Sequence, residues 1–372
     1  MTDKVVRIDG SLPIKLAPTR SWRTYVGGKL IDELHGEEHP KDSQFPEEWL
    51  MSIVSARISG REHITDEGLS KVALPDVDLS LKSLLEKNPN LFLGEEHFMK
   101  FGKQTGVLVK LIDSAERLTI QTHPDRERAQ KFFQSSFGKT ECWHFLGGRE
   151  IEGEAPHVYL GFRPGVTRKQ WEKHFYNQDI SSMLECMHKF YVQPGDTFLV
   201  EAGTPHAIGS GCLLVEIQEP TDYTIRLEKT SQSGLIIDDF MMHQGLGFEK
   251  MFEFFNYKTY TREETLEKWF ISPSLLRGSE GNKEIELVGY QNTPYFKMTK
   301  VEVTNELEVK SEGVFSGLFI LSGNASILVN GECEEGKIGD HFFIPATVSS
   351  YIIQNNGEEV VKALRLFGPT AK

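Results

Sequence analysis

Residues 189–228 read KFYVQPGDTFLVEAGTPHAIGSGCLLVEIQEPTDYTIRLE, and this stretch decides the fold. Short β-branched and aromatic runs alternate with Pro-Gly and Gly-Thr-Pro turns, the punctuation of an all-β sandwich or barrel. His206 follows the second turn, where a returning strand would point its imidazole inward from a rigid wall. Two other segments share this texture. Residues 106–121 (GVLVKLIDSAERLTIQ) read as two strands around a turn at 113–116, and residues 296–366 repeat the strand-and-turn style.

Helical signals lie between the β segments. Residues 124–133 open with a proline and carry charges along one face. Residues 167–188 begin with a threonine cap and space Trp171, Phe175 and Tyr176 at near-helical intervals. Residues 238–255 and 261–270 form a third helical region that separates two β units. The expected division is 1–235, a larger front unit, and 236–372, a helical connector followed by a smaller β unit.

The 372 residues are 39% hydrophobic and 26% charged, ordinary for a globular chain with a substantial core. A formal charge of −13 argues against a nucleic-acid partner, which needs a concentrated positive field. It leaves room for an anionic small molecule held by a local cluster of Lys and Arg. The opening MTDKVVRIDGSLPIK lacks the apolar stretch of a secretory signal, and no window approaches a membrane span. The four cysteines lie far apart and suggest neither a disulfide framework nor a thiolate metal site. A cytoplasmic protein is expected.

Gln121 and His123 stand two residues apart, hence on one face of a strand, and Lys139 and Glu141 repeat that spacing. With His206 they supply two imidazoles, a carboxylate and an amide oxygen. That mixed nitrogen and oxygen set suits Zn²⁺ or another first-row divalent ion, with positions left for water or substrate. His144, His157, His174, His188, His243 and His341 lack partners at ligand spacing and read as structural.

Downstream, Glu216 and Gln218 share one side of an alternating strand whose other side carries Val215 and Ile217. Arg226 follows; an inward guanidinium would match an enediolate or a phosphate, whereas an outward one would pair with Asp222 or Glu228. Lys110 shares its face with Leu108 and Ile112, so burial of that face would demand an anionic partner. Glu48, in FPEEWLMS, stands either at the site or on the surface.

These residues resemble a known family, the class I (zinc-dependent) mannose-6-phosphate isomerases, which are metal-dependent bicupins of the cupin superfamily. The similarity runs from about residue 21 to 228 through SWRTYVGG, EEWLMS, LVKLID, TIQTHPD, GKTECWHFL, AGTPHAI and VEIQEPTDYTIRLE, in the family's order. The modest length resembles the short bacterial form. The resemblance implies a mainly β bicupin, two double-stranded β-helix units with intervening helices. It also implies Gln121, His123, Glu141 and His206 as ligands of one zinc ion. Lys110, Thr119 and Arg226 would bind substrate; Arg226, Lys139, Glu48, Glu216 and Asp222 would be catalytic. Thr119 departs from the family's frequent serine, and Ile208 from the tyrosine of some members. The back unit, with Gly323, Gly331, Gly336, Gly339-Asp340 and Ile344-Pro345, echoes the cupin turn pattern without its ligands. It is expected to be a metal-free second cupin.

The reaction implied is interconversion of mannose-6-phosphate and fructose-6-phosphate through a metal-stabilised enediolate, by a monomer or small homo-oligomer. Three alternatives remain on the residues alone: an isomerase of an unphosphorylated sugar, another cupin enzyme such as an iron-dependent dioxygenase, and a non-catalytic sugar-binding cupin.

Overall fold

The structure, a computed structural model, describes residues 8–279 and 281–371. Residues 1–7, the start of the segment read for a secretory signal, lie outside the described residues. The chain is mainly β, with every paired strand antiparallel, and forms two β units as the bicupin expectation requires. Twelve strands open the chain: β1 (Ile14–Leu16), β2 (Arg20–Ser21), β3 (Glu47–Leu50), β4 (Leu108–Asp113), β5 (Gln121–Thr122), β6 (Glu141–Gly148), β7 (His157–Phe162), β8 (Met187–Tyr191), β9 (Thr197–Val200), β10 (His206–Ile208), β11 (Cys212–Gln218) and β12 (Ile225–Arg226). Eleven of them make the front barrel from two sheets, ordered β2-β3-β4-β11-β6-β9 and β12-β5-β10-β7-β8.

The back unit uses β13 (Ser274–Ser279), β14 (Asn282–Val288), β15 (Lys297–Val303), β16 (Glu306–Lys310), β17 (Ser316–Ser322), β18 (Asn324–Val329), β19 (Glu332–Lys337), β20 (His341–Ile344), β21 (Ser350–Asn355) and β22 (Val361–Phe367). Its larger sheet, β1-β20-β17-β22-β15-β14-β13, borrows β1, the first strand among the described residues, and β16-β21-β18-β19 faces it. Its interior is filled by apolar side chains, among them Val301, Leu318, Ile327, Phe342 and Ile353.

Strand alternation explains how the two units join. On β4 and β11, Val109, Leu111, Val215 and Ile217 leave the front barrel and enter one apolar cluster with Phe319, Phe343, Leu364 and Leu366 of the back sheet. Lys110, Ile112 and Glu216 take the opposite face and look into the front barrel. One sheet thus serves two cores, and a one-residue slip in register would exchange a charged interior for an apolar seam.

The helical stretches pack on the front unit. Met241, Met242, Met251, Phe252, Phe254 and Phe255 share a cluster with Ile120, Ile225 and Leu227, and Trp269 enters the front barrel core. Each such buried side chain contributes about 1.5–3 kcal/mol. The boundary placed near residue 235 therefore runs through a packed cluster. The region 167–188 divides into helices Arg168–Tyr176 and Ile180–Glu185, after which Met187 already opens β8. Helix Lys29–His35, absent from the sequence reading, has no side-chain cap of its own, and its N-cap Gly28 sits at φ 102°. Asp113, at the end of β4, accepts instead from the amides of Gly28 and Leu30 at 2.9 and 2.8 Å.

Candidate metal centre and its cavity

Short strands bring the expected ligands into the front barrel from both sheets. Gly203 turns the chain at φ 85° into β10, where His206 pairs with Gln121 of β5; Arg226 of β12 pairs with Gln121 from the other side. Glu141 comes from the opposite sheet, aligned with Gln218 and Val200. His123, Glu141 and His206 converge, their candidate ligand atoms all within 4.8 Å of one another. His123 Nε2 lies 3.2 Å from Glu141 Oε2, and His206 Nε2 lies 3.4 Å from Oε1.

The surroundings set the imidazole tautomers. His123 Nδ1 donates to the Tyr223 carbonyl at 3.0 Å and His206 Nδ1 to the Thr204 carbonyl at 2.8 Å. Each Nε2 is left unprotonated beside Glu141, the tautomer a ligating histidine adopts. Burial, then the Lys139 charge, pushes His123 down to about 3, so the ring is neutral at ordinary pH. Burial works to raise Glu141, but the Lys139 charge holds it well below the usual carboxylate range. Glu141 Oε2 and His206 Nε2 are buried without a hydrogen-bond partner. Two neutral imidazoles, a carboxylate and two orphaned atoms fit a divalent first-row ion. Gln121 lines the adjoining cavity. The Trp143 indole donates to Glu141 at 3.1 Å and to Glu216 at 3.2 Å, orienting both carboxylates.

Of the other expected residues, Lys110, Thr119, Lys139, Glu216, Asp222 and Arg226 all line this cavity. Lys139 Nζ bonds His123 Nε2 at 3.0 Å and lies 3.3 Å from Glu141 Oε2; burial lowers its pKa against the pull of Glu141. Lys110 Nζ meets Glu216 at 3.0 Å; burial opposes its charge, but Glu216 and Glu47 raise its pKa. Glu216 is raised by burial and by the charge of Glu141. Arg226 is inward. Its Nη1 donates to the Met241 carbonyl at 3.0 Å, and burial pushes its pKa down to about 10. The surface pairs considered for it do not form. Arg117 engages Glu228 with two bonds of 2.6 and 2.8 Å, and Asp222 faces Arg23 at 3.8 Å.

Glu48 is a correction. It does not line the cavity; it lies on the seam between the units, fully buried, 2.7 Å from His35. Its neighbour Glu47 points inward, accepting from Arg23 at 2.7 Å, from the Tyr25 hydroxyl at 2.8 Å and from the Trp49 indole at 2.8 Å. Successive strand residues face opposite ways, and the Glu47-Glu48 pair straddles the sheet. Glu47, Arg23 and Tyr25 were missed; the signal available was the shared parity of Glu47 and Trp49. His341, read as structural, is buried with neither ring nitrogen hydrogen-bonded. A groove lined by Tyr159, Arg163, His188 and Arg262 lies elsewhere on the molecule and shares no residue with this cavity.

Comparison with known proteins agrees with this architecture. Residues 287–363 match the family model described as mannose-6-phosphate isomerase, cupin domain. A Bacillus subtilis protein named probable mannose-6-phosphate isomerase GmuF is 27% identical over 94% of this chain and 98% of its own length. The mannose-6-phosphate isomerase of Streptococcus mutans is 25% identical over 69% of this chain and 74% of its own. The crystal structure of the mannose 6-phosphate isomerase from Bacillus subtilis superposes with a TM-score of 0.73 at 22% identity, covering 95% of this chain and 99% of that one. A putative mannosephosphate isomerase from Archaeoglobus fulgidus gives 0.72 at 21% identity, covering 98% and 100%. The family match, the relatives and the fold make this chain similar to the cupin-type mannose-6-phosphate isomerases.

Proposed function

We propose that the protein is an aldose–ketose isomerase that interconverts mannose-6-phosphate and fructose-6-phosphate, with one zinc ion held by Gln121, His123, Glu141 and His206. The observation that carries the reading is the convergence of His123, Glu141 and His206 beside a cavity walled by buried charge. Arg23, Lys110, Lys139 and Arg226 face Glu47, Glu141, Glu216 and Asp222. Four cations balance four carboxylates, so a divalent ion would leave a surplus of two positive charges. A phosphate monoester carries about −1.5 to −2. That match favours a phosphorylated sugar over a neutral one.

When bound, the metal supplies Lewis-acid polarisation of the substrate's carbonyl and hydroxyl oxygens. The chain supplies the rest. Arg226 offsets the negative charge that develops as the proton leaves carbon, in a dry site where fixed charge is most effective. Lys139, with its pKa lowered by burial, relays a proton or orients the sugar. Glu216, held up by burial and Glu141, and Asp222 are the carboxylates in reach as base or orienter. Lys110 and Thr119 bind substrate. The space open to water in the cavity is ≈ 40 Å³. At its wall Arg226 bonds the Met241 carbonyl and Asp222 accepts from the Arg57 amide at 3.0 Å.

The reading carries with it a sugar phosphate as the small-molecule partner, a monomer or small homo-oligomer, and a cytoplasmic location consistent with bacterial relatives of this name. Among the described residues no helix is long and apolar enough to cross a membrane. Residues 1–235 would carry the chemistry, with 236–372 as helical connector and supporting cupin. The test is a coupled assay of metal-replete protein with mannose-6-phosphate and with mannose, before and after chelation. Conversion of the phosphate ester alone, abolished by chelator and restored by zinc, is expected. Absence of conversion by folded, metal-loaded protein would sink the reading.

A further inference from the structure

Arg23 lines the cavity and is almost fully buried. Its guanidinium is clamped within the protein. Nε donates to Glu47 at 2.7 Å, Nη1 donates to the Trp22 carbonyl at 3.1 Å and lies 3.8 Å from Asp222, and the group stacks 4.8 Å from the Trp49 ring centre. Nη2 is buried and has no acceptor among the described residues. An unsatisfied buried donor on a charged group is strongly unfavourable, and these contacts prevent Arg23 from relieving it by rotation.

Glu216 Oε1 is likewise buried without a hydrogen bond, with only the Lys110 ammonium at 3.0 Å as an ion-pair neighbour. Lys110 in turn lies 3.9 Å from the Glu47 carboxylate that holds Arg23. One cavity thus contains an unused donor and an unused acceptor. A hydroxyl oxygen can accept from such a donor while its own proton goes to another acceptor. Charge points the same way. Glu47 and Asp222 already neutralise Arg23, so Nη2 offers direction rather than field, and suits a neutral oxygen better than a phosphate.

Arg23 is held by Glu47 and Asp222 and not by His123, Glu141 or His206, so it meets a part of the sugar other than the oxygens a metal at those residues would polarise. With C1 and C2 reacting, O5 closing the ring and O6 phosphorylated, the free hydroxyls left are those on C3 and C4.

Resting on the isomerase reading, we propose that Arg23 is a substrate-recognition residue whose Nη2–H donates to the C3 or C4 hydroxyl of the sugar phosphate. The experiment compares kcat/KM for mannose-6-phosphate and its 3-deoxy and 4-deoxy analogues in the wild-type chain and in Arg23→Lys. The variant keeps a cation for Glu47 and Asp222 and removes the second nitrogen. Wild type is expected to lose about 10- to 100-fold on one analogue. Arg23→Lys should lose a similar factor on the parent sugar, with little further loss on that same analogue. If Arg23→Lys melts early, the double variant Arg23→Gln, Glu47→Gln, which leaves neither partner of the pair charged, takes its place. Equal use of all three sugars by wild type, or losses that simply multiply, overturns the proposal while leaving the isomerase reading intact. A wild-type chain inert toward mannose-6-phosphate overturns both.

Discussion

Glu48 Oε2 and His35 Nε2 meet at 2.7 Å in the seam between the two β units, back to back with the cavity that Glu47 enters from the same strand. Burial disfavours a charged His35, but the hydrogen bond and charge of Glu48 outweigh it and raise the imidazole above its ordinary 6.5. His341 lies near enough to feel both, and is driven down to about 4 by burial, so it stays neutral beside them. Lys15 is held by Asp340 at 2.7 Å and Arg20 by Asp32 at 2.7 Å, which completes the charged groups around the pair.

Because the folded-state pKa of His35 is raised, its contribution to stability is complete below 6.5 and is lost as pH rises through the raised value. The thermal midpoint should therefore fall on the alkaline side of neutrality. In His35→Gln, whose amide donates to Glu48 without titrating, that component should vanish. Midpoints recorded from about pH 6 to about pH 9 check this, and identical profiles for the two proteins would refute it.

Glu47 titrates in the opposite sense. Burial works to raise it, but Arg23 and Lys110 hold it down at about 2, against an ordinary 4.5. Its stabilisation is present above 4.5 and disappears as pH falls toward about 2. Glu47→Ala leaves Arg23 buried beside only Asp222 and should cost about 3–5 kcal/mol. Urea denaturation at neutral pH measures it; a cost under about 1 kcal/mol, that of an exposed pair, would show the pair to be solvated.

His206→Ala removes one of the two imidazoles aimed at Glu141. The purified variant should retain far less than stoichiometric metal, and chelator should no longer lower its melting temperature, as it should in the parent chain. Elemental analysis and differential scanning fluorimetry give both readouts independently of activity.

Arg226→Ala should reduce kcat by about 10²- to 10³-fold, the usual effect of removing one preorganised stabiliser of developing charge. The guanidinium bonds only backbone carbonyls, those of Met241 and Thr224, so folding should survive. Steady-state kinetics on a variant of unchanged circular dichroism is the check, and near-normal kcat would remove Arg226 from the mechanism.

Much of the site was legible because strand parity is a local property. Gln121 with His123 and Lys139 with Glu141 each share a face by spacing alone, and Lys110 was correctly set on the face of Ile112. Asp113 shows the limit: a carboxylate at the end of one strand caps a helix some 80 residues earlier, at Gly28 and Leu30, and no local pattern announces that contact.

The sequence by itself determined the β character, the two-unit plan and the set of side chains able to hold a divalent ion, since turn chemistry, alternation and ligand type are written in neighbouring residues. Only the tertiary structure decided which side of each strand would be the inside. Parity says that Glu47 and Glu48 part company; it does not say which one meets the cavity. That choice was made by Leu50, Val109, Leu111 and Ile217, whose apolar surface is removed from water only against Phe319, Phe343 and Leu364 of the back unit. Once that seam is formed, Glu48 lies within it, and Glu47, Lys110 and Glu216 are left to face the cavity.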